Sequence, residues 1–340
     1  MIVLNMKLEE NSYPITVGSE LLDKADKYFN LDRKVFIITD SGVPVIYAEK
    51  IKKLCKTATL YTVEAGEGSK SLSTLKSVLT AMTDAELDRG DAVIAVGGGV
   101  VGDLAGFAAS VYMRGIDFYN VPTTLLSQVD SSIGGKTAVN LNGIKNIVGS
   151  FKQPRAVLID TDTLKTLEPR QIANGLAEVI KMAATSNAEL FEFLEDHDEE
   201  YVYTNIEGII VEALKIKQSV VEKDERETGL RRILNFGHTL GHGIEASEAL
   251  GGLLHGECVA LGMLPFAHGE ARERIKRLLT KFSLPTEYHG NISSAASYAQ
   301  HDKKCKRETV SVIVCSKIGA CEIQVIDKAS FEETILNCYN

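Results

Sequence analysis

His238, His242 and His255 place three of the chain's seven histidines within 18 residues, in Asn235-Phe-Gly-His-Thr-Leu-Gly-His-Gly-Ile-Glu and then Leu254-His-Gly-Glu. Positions four apart share a helical face, so the first two rings project together from one apolar helix. Imidazole is the commonest transition-metal ligand and also titrates near neutral pH, which makes the cluster a candidate for metal binding or proton transfer. Spacing alone does not choose between them. Glu178 and Lys181 lie three apart in Gly175-Leu-Ala-Glu-Val-Ile-Lys, on neighbouring positions of an otherwise apolar face. Standing alone they would read as a surface ion pair. A carboxylate beside His238 and His255 would instead complete a three-ligand set with an open position, as in catalytic zinc sites. Cys258 is a further ligand candidate, but it reads better as a small buried residue.

A second set of candidates surrounds glycines. Asp91-Ala-Val-Ile-Ala-Val-Gly-Gly-Gly-Val-Val-Gly-Asp puts Gly98 and Gly99 after a strand and before a helix, where backbone amides can approach a pyrophosphate. The pattern departs from the usual GxGxxG, and a tight turn that binds nothing would look the same. Asp40 closes an earlier strand and could accept hydrogen bonds from a ribose. It precedes the glycines by about 60 positions, whereas the acid of the familiar dinucleotide fold follows them by about 20, so the topology is not the standard one. Glu67 and Lys70 occupy a polar loop after a strand, where solvated charges would look alike. From Tyr112 to Phe151, paired hydroxyls, glycines and lysines leave few apolar anchors, as expected of backbone built around a polar ligand. Lys136, in Gly-Gly-Lys-Thr, and Lys145, in Gly-Ile-Lys-Asn, would be its cations. Gly-Gly-Lys-Thr lacks the glycine spacing of a P-loop, which disfavours nucleotide triphosphate hydrolysis.

These residues need elements to hold them. Strand-like runs at Lys34–Asp40, Thr59–Glu64, Asp91–Val96 and Ala156–Asp160 alternate with helical patterns at about 43–56, 71–87 and 100–112. Such alternation yields a mostly parallel sheet with crossover helices. Beyond Pro169 the pattern changes to long amphipathic helices, exemplified by Ile206, Ile209, Ile210, Ala213 and Leu214, with a late hairpin around Ile318-Gly-Ala. The expected architecture is an α/β domain over 1–168 and a mainly α-helical domain over 169–340, with no internal repeat.

Composition sets outer limits. A chain of 340 residues with 44% hydrophobic content can bury a large core. The net charge of -9 and the lack of a long basic run argue against nucleic acid, so an anionic substrate must meet local cations. The longest apolar stretch, Ala92 to Met113, carries Asp103 and five glycines, which argues against a membrane span. The six cysteines form no CxxC pair, and the N-terminus lacks signal-peptide character; a cytoplasmic protein with reduced thiols is the simpler reading.

Taken together, five motifs resemble the 3-dehydroquinate synthase family of sugar phosphate cyclases across nearly the whole chain: Gly-Gly-Gly-Val-Val-Gly-Asp, Pro-Thr-Thr-Leu-Leu-Ser-Gln-Val-Asp-Ser-Ser-Ile-Gly-Gly-Lys-Thr, Gly-Leu-Ala-Glu-Val-Ile-Lys, Asn-Phe-Gly-His-Thr-Leu-Gly-His and Leu-His-Gly-Glu. The resemblance implies a Rossmann-like N-terminal domain, a helical C-terminal domain and an active site between them. It implies conversion of 3-deoxy-D-arabino-heptulosonate 7-phosphate to 3-dehydroquinate and phosphate, in the shikimate pathway, by transient oxidation, phosphate elimination, reduction and intramolecular aldol closure. The implied zinc ligands are Glu178, His238 and His255, with cobalt also suited to the set. His242 is implied as an acid–base or hydrogen-bonding residue. NAD contacts are implied at Asp40, Glu67, Lys70, Gly98, Gly99, Asp103, Thr123, Thr124, Lys136, Lys145 and Thr166. Substrate contacts are implied at Arg114, Asp130, Lys136, Asn146, Lys181, Arg231, Asn235 and one of Lys303 and Lys304. A homodimer is implied as well, and the span from His255 to Lys303 is about a dozen residues shorter than in many family members, pointing to a trimmed helical domain. Two rivals are another sugar phosphate cyclase on the same scaffold and a metal-dependent glycerol or alcohol dehydrogenase, which would release NADH.

Overall fold

The computed structural model describes residues 1–248, 252–300 and 308–339. Its contacts divide the chain into two units, Met1–Glu168 and Pro169–Asn340.

In the first unit the elements are β1 (Ile2–Met6), β2 (Tyr13–Gly18), β3 (Lys34–Asp40), α1 (Val45–Leu54), β4 (Thr57–Val63), α2 (Leu72–Asp84), β5 (Ala92–Gly97), α3 (Gly99–Val111), β6 (Asp117–Pro122), β7 (Lys136–Leu141), β8 (Ile144–Phe151) and β9 (Ala156–Asp160). Seven strands form a sheet in the order β1-β2-β9-β6-β5-β3-β4, parallel except where β1 runs against β2. Side chains alternate across a strand, and here both faces are covered. Phe36 and Ile38 pack with Val93 and Ala95 against Val78 of α2 and Leu104 of α3. Val35 and Ile37 pack on the other face, with Ile94, against Ala48 and Ile51 of α1. That double burial explains why the central strands read as unbroken apolar runs.

Strand order accounts for the misplaced acid. From β3 the chain moves outward to β4, then returns to β5 on the other side of β3 and continues through β6. The order reverses between β3 and β5, and ligands of open α/β sheets bind outside the carboxyl ends of strands at such a point. Asp40 ends β3 and Gly97 ends β5. Two neighbouring strand ends thus replace the linear spacing of the familiar fold.

The stretch expected to be built around a polar ligand is made of regular elements. It holds β6, a π-helical turn at Ser127–Ser131, and the antiparallel β7–β8 hairpin. Asn142 and Gly143, with φ of 52° and 78°, make its two-residue turn.

The second unit contains α4 (Pro169–Ser186), α5 (Ala188–Asp196), α6 (Glu199–Thr204), α7 (Ile206–Val221), α8 (His238–Ser247), α9 (His255–Met263), α10 (Gly269–Lys281), α11 (Ile292–Gln300), β10 (Thr309–Lys317), β11 (Ala320–Asp327) and α12 (Lys328–Tyr339). α4 is buried continuously from Ala173 to Thr185 and packs against α5, α7, α9 and α10. β10 and β11 form the expected hairpin. No helix among the described residues is long and apolar enough to cross a membrane.

Candidate metal centre and cofactor site

Three helices carry the metal-ligand candidates: Glu178 lies on α4, while His238 and His255 open α8 and α9. Glycines let these helices approach. Gly237 has a φ of +76°, and a Cβ there would lie 2.6 Å from Val259 O; one on Gly262 would lie 1.9 Å from Gly237 O. Only glycine tolerates such contacts, so the glycines around the histidines set the spacing of α8 and α9. On the other side of α9, a Cβ on Gly256 would lie 2.1 Å from Asn174 O, and the Gly256 amide donates to Asn174 Oδ1 at 2.5 Å. Glu257 caps α9 by accepting from the Leu254 amide at 2.7 Å, and the Arg170 guanidinium grips the same carboxylate through two 2.7 Å bonds.

Glu178 is 0% exposed, and its Oε1 lies 3.5 Å from His238 Nε2 and 3.6 Å from His255 Nε2. One ligand atom from each of the three residues falls within 4.8 Å of the others. Tetrahedral zinc with bonds of about 2.0–2.1 Å holds its ligand atoms about 3.3 Å apart, so a divalent ion fits this set with small adjustments. The far ring nitrogens are also engaged. His238 Nδ1 meets Phe236 O at 3.2 Å and His255 Nδ1 meets Glu245 Oε2 at 3.5 Å, which turns both Nε2 atoms toward Glu178. Burial opposes a positive charge on His255, but Glu178 and Glu245 outweigh it and push its pKa up to about 10. The pocket favours a cation.

Lys181 hydrogen-bonds Glu178 Oε2, and both side chains are buried, so the pair is no surface ion pair. The ammonium expected at the substrate is thus committed to a candidate ligand. The His242 ring centroid lies 5.4 Å from that of His238 and 6.0 Å from that of His255. His242 is not part of the Glu178 group; with Glu245 and His255 it forms a second group whose ligand atoms lie within 4.8 Å of one another.

Arg231 and Asn235 ride on the turn Leu230–Asn235. Asp224 organises its approach: Oδ1 accepts from the Thr228 amide at 2.8 Å, and Oδ2 from the amides of Gly229 and Arg231 at 2.7 and 3.0 Å. Burial would raise the Asp224 pKa, but the amides of Arg231, Thr228 and Gly229 prevail and lower it to about 2. The Arg231 side chain, 2% exposed, donates to Glu225 O at 2.5 Å, and Asn235 donates to Glu227 Oε1 at 2.6 Å. Three residues passed over in the sequence stand out here: Asp224, Glu245 and Lys217. Lys217 is only 5% exposed on α7, which packs on the same turn. Helical phase was its signal, since it falls three and four positions from apolar Leu214 and Ala213, whereas exposed Lys215 does not share that face. Lys303 and Lys304 lie outside the described residues.

In the first unit the glycine turn packs closely against neighbouring side chains. Gly98 caps α3 without a side chain, leaving first-turn amides for an anion. A Cβ on Gly98 would lie 3.1 Å from Thr124 Cγ2, and one on Gly99 would lie 3.1 Å from Ser131 Oγ. That buried Ser131 hydroxyl has no hydrogen-bond partner among the described residues, as suits a group facing a polar ligand. The Thr123 amide donates to Gly97 O at 3.0 Å, joining the ends of β5 and β6. Asp40 Oδ1 accepts from the Gly42 and Val43 amides at 2.8 and 3.2 Å, while its Oδ2 makes no bond among the described residues. Buried Lys70 pairs with Asp103 of α3. Asn140 of β7, unassigned in the sequence, ties the group together: it donates to Glu67 Oε1 at 2.8 Å, its amide meets Lys70 O at 2.8 Å, and its Oδ1 accepts from the Asn146 amide at 2.9 Å. Thr166 hydrogen-bonds Tyr47 at 2.8 Å.

Lys136 and Lys145 are exposed on the hairpin, and Asp130 lies in the π-helical turn. Arg114 follows the C-terminus of α3, with a φ of +69°, so the helix's length of about 20 Å separates it from the glycines at the N-terminus.

Comparison with known proteins places this arrangement. Residues 60–174 match the family described as 3-dehydroquinate synthase N-terminal, and residues 175–305 match its C-terminal counterpart. The chain is 44% identical over 338 residues to a 3-dehydroquinate synthase of Enterococcus faecalis, covering 94% of each. Among solved structures, 2-deoxy-scyllo-inosose synthase complexed with carbaglucose-6-phosphate, NAD+ and Co2+ superposes with a TM-score of 0.90 at 29% identity, covering 99% of this chain and 100% of that one. ValA, a 2-epi-5-epi-valiolone synthase from Streptomyces hygroscopicus with NAD+ and Zn2+ bound, gives 0.88 at 27% identity, covering 98% of both.

Proposed function

The chain belongs to the 3-dehydroquinate synthase family, and on that premise we propose that Glu178, His238 and His255 hold a divalent metal while the Gly98–Gly99 turn, with Asp40, Glu67, Lys70 and Asp103, holds NAD. The protein is an NAD- and metal-dependent lyase that converts 3-deoxy-D-arabino-heptulosonate 7-phosphate to 3-dehydroquinate and phosphate. The cyclases among its structural neighbours are 27–29% identical, well below the 44% of the synthase relative, which favours this substrate over theirs.

When bound, NAD and the metal supply the transient oxidation of one hydroxyl and the polarisation of its oxygen, which acidifies the adjacent C–H bond; zinc and cobalt both suit two imidazoles and a carboxylate. The remaining work falls to side chains. Lys181 steadies the Glu178 carboxylate. Arg231 offers a planar fork to the substrate's carboxylate or phosphate, with Asn235, Lys136, Asn146, Asp130 and Arg114 as further contacts. His242 holds or moves a proton beside the metal ligands without joining them. Anchoring both anionic ends of an acyclic chain keeps it folded for ring closure.

The observation that carries this reading is the buried Glu178 carboxylate facing two Nε2 atoms. Its test is a pair of variants. His255→Ala is expected to lose bound metal and activity together, and His242→Ala to keep the metal while turnover falls by about 10²–10⁴-fold. Equal metal loss in both would overturn the division of roles. A homodimer in the cytosol belongs to the same reading; the described cysteines are all free thiols, as a reducing compartment favours.

A further inference from the structure

His255 has a carboxylate on each side. Its Nε2 lies 3.6 Å from Glu178 Oε1 and its Nδ1 lies 3.5 Å from Glu245 Oε2. Glu245 sits on α8, seven residues after His238 and three after His242, so it shares their face of the helix. Its side chain is 17% exposed, and one atom each from His242, Glu245 and His255 lie within 4.8 Å of one another.

An imidazole that ligates through one nitrogen carries its remaining proton on the other. The acceptor of that proton sets the tautomer and the ring plane and makes the ligating nitrogen more basic. For His238 the acceptor is a backbone carbonyl, Phe236 O, a weak and neutral partner. For His255 it is a charged side chain delivered by the helix that also bears His238 and His242. We propose that Glu245 is a positioning residue, which holds His255 in the tautomer that presents Nε2 to the metal and links that ligand to the His242 ring. The inference rests on the reading of Glu178, His238 and His255 as the metal centre. The competing use of the same atoms, a second ion held by His242, Glu245 and His255, would require His255 to ligate through both nitrogens and so lose both ring protons.

The test measures zinc affinity of the full-length protein by competition with a chromophoric chelator, with circular dichroism as the check on folding. Glu245→Ala is expected to bind zinc about 10- to 100-fold more weakly. Glu245→Gln, which keeps an acceptor but not the charge, is expected to recover part of that loss. Proton and nitrogen-15 spectra of the histidines supply a readout that general loosening would not move: zinc-loaded wild type shows a downfield-shifted His255 Nδ1–H proton, as a hydrogen bond to a carboxylate gives, and Glu245→Gln moves it upfield. Wild-type zinc affinity and an unchanged His255 Nδ1–H shift in both variants would overturn the inference, while loss of zinc in Glu178→Gln would leave the metal centre standing. Retention of zinc by Glu178→Gln would remove the centre itself, and the inference with it. Two zinc ions per chain, one of them lost in Glu245→Ala, would make Glu245 a ligand and overturn the positioning role.

Discussion

A carboxylate with no exposed surface is tolerable only if something nearby carries positive charge, and at Glu178 three groups share that duty: Lys181 on one oxygen, His238 and His255 on the other. The histidines and Glu178 were legible from residue type and spacing. Glu245 was not, because a carboxylate three positions after a histidine on an amphipathic helix looks solvated until α9 is seen against it. Removing one member of a buried pair strands the other, at a cost of about 3–5 kcal/mol. Lys181→Met should therefore lower the urea-measured stability of the metal-free protein by about that much, and by less once zinc is bound, since the ion compensates Glu178. A loss below about 1 kcal/mol in the metal-free protein, as for a surface pair, would mean that Lys181 does not support the carboxylate.

At the scale of elements, the site depends on how closely three helices pack. Gly256→Ala places a methyl where Asn174 O lies 2.1 Å away, so α9 must shift. The expected cost is about 1–3 kcal/mol, accompanied by weaker zinc binding. Gly208 on α7 has nothing among the described residues within 4 Å of its would-be Cβ, and Gly208→Ala should stabilise by about 0.5–1 kcal/mol with zinc affinity intact. Thermal melts and chelator competition on the two variants separate helix spacing from general glycine effects. The Arg231 turn has its own signature. Asp224 is held near a pKa of about 2, below the usual value of about 3.9, so its contribution is complete above about pH 4 and lost as pH falls toward 2. Protection of the Gly229 and Arg231 amides from exchange, measured relative to their intrinsic rates, should fall across that window in wild type and show no such step in Asp224→Asn. Legibility was uneven here. Asn142-Gly143 is a strong hairpin signal, yet the polar and small residues of β8, Lys145, Asn146, Gly149 and Ser150, disguised the strand as a ligand loop. Similarly, β1 and β2 escaped: β1 is an edge strand with exposed Ile2 and Val3, and β2, though buried, is a short run opened by Tyr13-Pro14 that lacks the unbroken apolar character of the central strands.

For the molecule as a whole, the division between a parallel α/β unit and a helical unit could be read from the change of period at Pro169, because sheet and helix periodicities differ along the chain itself. What spacing could not supply was the meeting of Asp40 with the glycine turn, which depends on strand order and not on distance in sequence. Nor could spacing separate a synthase from a dehydrogenase, as the same kinds of residue bind the same cofactors in both. The reaction separates them. A cyclase returns its hydride within each turnover, whereas a dehydrogenase ends with NADH in solution. The decisive measurement follows phosphate release and NADH absorbance together, on protein loaded with zinc and NAD and given 3-deoxy-D-arabino-heptulosonate 7-phosphate. One phosphate and one 3-dehydroquinate per substrate consumed, no accumulation of NADH, and loss of turnover with a chelator are the expected results. NADH accumulating without phosphate release would contradict the account.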